Sequence, residues 1–238
     1  PECQKAREIV DQGLLGKIYR TSMVHATART EAYYRSRPWR GNWNGEGGGV
    51  LLNQGIHSLD LLQWLGGMPS TVCGTVSTFR HQIEVEDFAT AFLEYEGGEQ
   101  GTVHCSTVQA PNEVRLDLCG DRGSLTITDG SLSWHRLEAP IDEFMASGDP
   151  STRARLSHHT EHHEFQQPVN PILPSIEDFA DAVVHGREPA VTGEDGIKSL
   201  ELCAAILFSS YRARRVSLPL DRKGYDEFLR DMRDRHAP

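Results

Sequence analysis

Between residues 70 and 136 the sequence divides into six short runs rich in Val, Thr, Ile, Leu and aromatic side chains, at 70–79, 87–95, 100–109, 114–119, 124–128 and 132–136. Glu96-Gly97-Gly98-Glu99 and Asp129-Gly130 punctuate them. Short strands joined by Gly-containing turns make hairpins. The chain is thereby committed to a broad, largely antiparallel sheet, and the remaining residues have to cover it. Residues 17–28, ahead of this region, have the β-branched and aromatic content of a further strand.

The cover reads as helical. Residues 2–12 carry Ala6, Ile9 and Val10 on one face and end at Gly13 and Gly16. A helix from the glycine run at 47–49 to about residue 65 turns Leu52, Ile56, Leu59, Leu61, Leu62 and Leu65 inward, and Gly66-Gly67 and Pro69 stop it. Ser175 with Asp178 opens a helix whose Ile176, Phe179, Ala180, Val183 and Val184 are expected in the core. Thr192 with Asp195 opens another, with Ile197, Leu200, Ala204, Leu207, Phe208 and Tyr211 inward and Arg212, Arg214 and Arg215 at its negative end. No repeat or Pro-rich linker interrupts this order. Residues 17–220 therefore read as one α+β domain with helices on one face of the sheet, and 221–238 as a polar helical tail.

Charge and cysteine usage narrow the partners. With 24 Lys and Arg against 34 Asp and Glu, the formal net charge of -10 argues against nucleic acid and anionic membrane. The longest apolar run, near 204–208, is far below the ~20 residues that span a bilayer. Five cysteines without a C-x-x-C pair suit reduced thiols in a cytoplasmic protein; Cys105 and Cys119 could face each other across strands, but are expected as buried thiols. Strand segments 71–79 and 102–108 lack charge on both faces, so the face left open by the helices is expected to meet a second copy, as a dimer or tetramer.

The chemistry concentrates around residues 29–60. Behind the three glycines, Asn53, His57 and Asp60 stand at i, i+4 and i+7, which on an α-helix is one polar stripe. The preceding loop holds Tyr33, Tyr34, Arg35, Arg37, Trp39, Arg40 and Trp43, groups that stack on and hydrogen-bond to sugars or carboxylates. Tyr34, Arg40, Trp43 and Asp60 are the candidates for the substrate wall, and His57 with Asn53 for catalysis. The plainer alternatives are a structural histidine and a loop pinned down by its tryptophans. In SHHTEHH, His158 with His162 and His159 with His163 would pair at i, i+4 on a helix, as zinc ligands do, but no acid or cysteine ligand sits at a fixed spacing. The expectation there is a polar, irregular segment with solvated histidines and no metal.

The stretch GEGGGVLLNQGIHSLDLLQWLGG, preceded by DQGLLGKIYRTSMVHA and followed by FADAVVHGREPAVTGEDGIKSLELCAAI, resembles the C-terminal part of the Gfo/Idh/MocA oxidoreductases, the glucose-fructose oxidoreductase and inositol dehydrogenase relatives. The resemblance implies a C-terminal domain like that of glyceraldehyde-3-phosphate dehydrogenase. It also implies that an N-terminal Rossmann domain, ending in residues 1–16, binds NAD or NADP and carries a catalytic lysine. No Gly-x-Gly-x-x-Gly follows a strand and opens a helix in this sequence, so no cofactor is expected in residues 1–238 themselves. By motif, His57 matches the histidine beside the reacting hydroxyl, and Asn53 stands where many members have aspartate. A neutral amide stabilises an imidazolium far less than a carboxylate does. The lysine is then the principal acid/base, and His57 mainly positions the substrate.

The expected function is the substrate-binding and dimerisation half of an NAD(P)-dependent dehydrogenase acting on a sugar, sugar derivative or cyclitol, inactive alone. The rivals are a non-enzymatic sugar sensor or scaffold, NAD-dependent elimination or glycoside hydrolysis on the same fold, and a metal enzyme using SHHTEHH.

Overall fold

The computed structural model describes every residue except 149, 152, 153, 237 and 238, so the corresponding parts of the polar stretch and of the tail lie outside the described residues. Helix α1 (Glu2–Asp11) leads into β1 (Ile18–Ala26) and the short α2 (Glu31–Arg35), and a π-helical turn (Leu51–Gly55) continues as α3 (Ile56–Gly66). Then come β2 (Thr71–Ser77), β3 (Phe88–Glu94), β4 (Gln100–Ser106), β5 (Glu113–Gly120), β6 (Gly123–Thr128) and β7 (Ser131–Leu137). The chain continues through α4 (Ile141–Met145), β8 (His158–Glu164), α5 (Leu173–His185), α6 (Gly193–Arg212), β9 (Val216–Ser217) and α7 (Arg222–Arg235).

Among the described residues the strands form one sheet in the order β8-β7-β6-β5-β1-β4-β3-β2-β9. All neighbours are antiparallel except β1 and β4. β1 comes first in sequence but sits centrally, with one meander on each side. The α+β class and the mostly antiparallel sheet match the sequence expectation, with more strands than the six central runs.

The core lies between the sheet and α3 and α6, where Met23, Val103 and Leu118 from the strands meet Leu59, Leu62, Leu202 and Ile206. Each fully buried Leu stabilises by roughly 1.5–3 kcal/mol. Thr192 and Asp195 form the anticipated capping box on α6. Ala6 and Ile9 of α1, and Phe228 and Met232 of α7, belong to the same core, so packing runs across the sequence limits at 16 and 220. On the opposite face, β2 and β3 expose Cys73, Thr75, Thr90 and Phe92, the last 66% exposed. Cys105 is buried as expected and Cys119 only partly so, and all five cysteines are free.

Several expectations are corrected. Residues 158–164 form an edge strand, held to β7 by its ladder and by side-chain contacts from His162 Nδ1 to Ser133 Oγ (2.9 Å) and from His135 Nδ1 to Thr160 Oγ1 (2.9 Å). At about 3.3 Å per residue a strand holds positions four apart roughly 13 Å from each other, so the zinc-type helical pairs do not form. Helix α5 starts at Leu173, without a Ser175 cap. Its Ile176, Phe179, Val183 and Val184 are exposed, and only Ala182 is buried. The period marks an apolar face but supplies nothing to cover it, and α5 stands off the sheet. On α6, Ile197, Leu200 and Tyr211 are likewise exposed.

The largest departure for function is the π turn. Glu86, fully buried, accepts the amide N–H of Gly49 (2.9 Å to each oxygen) and that of Leu51 (3.1 Å), and its carbonyl accepts that of Val50 (2.9 Å). A Cβ at Gly49 would stand 1.9 Å from the Glu86 carbonyl oxygen, so only glycine allows this approach. A π turn closes hydrogen bonds from i to i+5, and residues four apart across it no longer stack.

Candidate functional site

His57 is the second residue of α3, immediately after the π turn, and it is exposed. It lines a cavity of about 320 Å³ with His25, Ser58, Leu61, Arg115 and Asp129. Among the described residues its imidazole makes no hydrogen bond or ion pair, which leaves both ring nitrogens for a ligand. His25 projects from β1 on the same side as the buried Thr21 and Met23, and its Nδ1 is 2.7 Å from Ser58 Oγ. Burial, followed by the nearby His57 and Arg29, holds the His25 pKa below its ordinary value and keeps that ring neutral near pH 7. The cavity therefore has one liganded, neutral imidazole and one free one, over an apolar floor of Leu61, Leu116 and Ile127.

Asn53 lies in a separate polar cluster, without a hydrogen bond to His57. Its Nδ2 donates to Glu46 Oε1, and its Oδ1 accepts from the Tyr33 hydroxyl (3.2 Å) and from Gln54 Nε2 (3.0 Å). Glu46 Oε2 takes the Gly41 amide at 2.7 Å. The Arg40 guanidinium donates to the Tyr33 hydroxyl and stacks on the rings of Tyr33 (4.1 Å) and Trp39 (4.3 Å). Arg29 lies over the same Tyr33 ring at 5.2 Å. Its backbone is pinned on both sides, its N–H donating to Thr107 O (2.9 Å) and its carbonyl meeting His81 Nε2 (3.0 Å). Its charge also acts on His25.

The other wall candidates divide. Arg40 lines a cavity of about 650 Å³ together with Tyr34, Arg35 and Arg37, apart from the one that holds His57. Trp43 does not line a wall: it is fully buried, its Nε1 donates to Glu84 O (3.1 Å), and it packs edge-on to Tyr211 and Phe228. Tyr34 is also turned inward. Its hydroxyl meets Thr107 Oγ1 at 2.9 Å, its ring packs on His81, and burial raises its pKa to about 12. Asp60 accepts from Gln63 Nε2 (3.1 Å), which makes it a brace within α3 and no partner of His57.

His25, Ser58, Arg29 and Glu46 were not among the sequence candidates. The alternation of β1 carried a signal for His25, because Thr21, Met23 and His25 share one parity. Nothing local marked Glu46 as the partner of Asn53.

A sequence model described as the GFO/IDH/MocA C-terminal domain matches residues 3–126, just over half of the chain. D-apiose dehydrogenase of Rhizobium rhizogenes is 25% identical over 71% of this chain and 48% of its own length. Inositol 2-dehydrogenase of Rhizobium meliloti is 24% identical over 92% of the chain and 62% of its own length. The chain thus spans about half to three fifths of these relatives. Among solved structures, the WlbA dehydrogenase of Bordetella pertussis in complex with NADH and UDP-GlcNAcA is similar at a TM-score of 0.70 and 26% identity, covering 92% of this chain and 60% of that one. Levoglucosan dehydrogenase in complex with NADH and levoglucosan shares the fold at a TM-score of 0.72 and 17% identity, over 90% of this chain and 62% of that one. By the extent of the matched domain and the shared fold, this chain belongs to the GFO/IDH/MocA family.

Proposed function

We propose that this chain is the substrate-binding and oligomerisation part of an NAD(P)-dependent dehydrogenase that oxidises a hydroxyl of a sugar, sugar derivative or cyclitol. The observation that carries the reading is His57, free of internal hydrogen bonds at the wall of a sugar-sized cavity, in a family whose similar members are dehydrogenases of such substrates. Apolar floor and polar rim suit a polyol, which has apolar C–H faces and hydroxyl edges.

Among the described residues the sheet has one parallel pair and no βαβ unit with a glycine-rich turn, which supports placing the dinucleotide fingerprint elsewhere. We therefore assign the cofactor, and the lysine that the family resemblance implies, to an N-terminal domain, with residues 1–16 as the connection. Hydride acceptance belongs to the bound nicotinamide. This chain's share is to bind the polyol, to orient the reacting hydroxyl through a His57 ring nitrogen, and to exclude water with the floor of the cavity. Asn53 acts indirectly, by holding Tyr33, Gln54 and Glu46 in place.

The test is a panel of sugars and cyclitols offered with NAD and NADP to a protein that carries this chain behind a dinucleotide-binding domain. Reduced nicotinamide should accumulate with a polyol, and the 238-residue chain alone should neither turn over nor bind NADH tightly. Tight NADH binding by the chain alone, or no oxidation of any polyol, would overturn the proposal.

A further inference from the structure

Two guanidiniums share one aromatic ring in this site. Arg29 and Arg40 lie over Tyr33 at 5.2 and 4.1 Å, and the Nε atoms of both are buried without a hydrogen-bond partner. Among the described residues neither forms an ion pair, although the chain carries a formal net charge of -10. Glu46, the acid of this cluster, is engaged by Asn53 and the Gly41 amide. Leaving a buried donor unsatisfied costs about 1–3 kcal/mol, and like charges held on one ring add repulsion. Arg29 cannot swing away with its backbone, which Thr107 and His81 fix.

Such an arrangement has a use when an anion completes it. A planar guanidinium matches two oxygens of a carboxylate or phosphate, and the pair is stronger when partly desolvated. The acidic surface of the molecule repels anions, so admitting one requires a local concentration of positive charge. A neutral polyol needs hydrogen bonds alone and gives no reason to hold two unpaired cations there.

We propose that Arg29 and Arg40 bind an anionic oxygen group, a carboxylate or a phosphate, of a sugar ligand at the Tyr33 ring, where Arg40 lines the cavity of about 650 Å³. This rests on the reading of the chain as a polyol-binding domain, and the ligand class it names is an acidic or phosphorylated sugar.

The 238-residue chain can be titrated, by calorimetry or by NMR of its arginine side chains, with D-glucuronate, D-glucose 1-phosphate and D-glucose. At least one of the two anions should bind about tenfold or more tightly than glucose. Which anion does so identifies the source of the charge. Arg29→Gln and Arg40→Gln should each remove most of that preference, whereas Arg29→Lys should keep part of it. Circular dichroism identifies a variant that fails to fold, and Arg40→Gln with Arg29→Lys then carries the comparison. Equal binding of all three ligands, no binding of any, or an undiminished preference in the glutamine variants overturns the inference. A protein that oxidises neutral sugars with NAD while showing no anion preference would keep the dehydrogenase reading and refute this one.

Discussion

The carboxylate of Glu86 receives the Gly49 amide through both oxygens at 2.9 Å, so one fully buried acid anchors the turn that presents the site helix. Burial raises its pKa to about 7, against the lowering effect of the backbone N–H groups. A carboxyl whose folded pKa lies above its unfolded value of 4.5 holds its proton better when folded. Its contribution is full below pH 4.5 and is lost as pH rises through about 7. Glu86→Gln, a neutral mimic, should flatten the fall in urea midpoint between pH 5 and pH 8 that this group gives the wild type, a difference on the order of 3 kcal/mol. Parallel pH profiles of the two proteins would refute the assignment.

Asn53 donates to Glu46, which makes the identity of residue 53 a question of charge. Asn53→Asp places a second carboxylate against the first and should destabilise the chain by about 1–2 kcal/mol. Adding Glu46→Gln restores a donor and should recover most of the loss. A double-mutant cycle in urea measures the coupling, and additivity would show that the two side chains do not interact.

His57→Ala should leave thermal stability within about 0.5 kcal/mol, as expected for an exposed side chain without internal partners. In the protein that includes the cofactor domain, kcat/KM for the polyol should fall by about 10²-fold or more. Replacing the implied lysine should cost more than that. The reverse order in steady-state kinetics would make His57 the principal acid/base.

Trp43 belongs to the core, so Trp43→Ala should destabilise by about 3–5 kcal/mol. Chemical denaturation checks it, and a loss under 1 kcal/mol would return the residue to the pocket wall.

Phe92 stands 66% exposed among uncharged Thr and Cys side chains on the open sheet face. That face is our proposed oligomer interface. Light scattering should find a dimer or tetramer at micromolar concentration, and Phe92→Glu should yield monomers. A monomeric wild-type chain would eliminate the interface.

The sheet was legible because its central strands alternate and are separated by glycine turns, a local signal that survives in any tertiary context. Strand β8 was not, since HHTEHHE has no apolar alternation and becomes a strand only through its partner β7. The apolar stripe of α5 was legible and its exposure was not, because periodicity describes one surface of a contact. At the site, the spacing of Asn53 and His57 suggested one stripe, but the intervening π turn depends on Glu86, remote in sequence. Aromatic and guanidinium density marked the loop as a whole. It could not distinguish the buried Trp43 from the exposed Trp39, which differ only in what packs against them.

The two ends of the sheet are finished differently. At one, β9 contributes only two residues; at the other, β8 carries two histidine pairs together with Glu161 and Glu164. A long unpaired edge invites the edge-to-edge growth that seeds fibrils, and charge or brevity blocks it. Assembly through the edges is thus disfavoured at both ends. That leaves the open sheet face as the surface for the closed association proposed above.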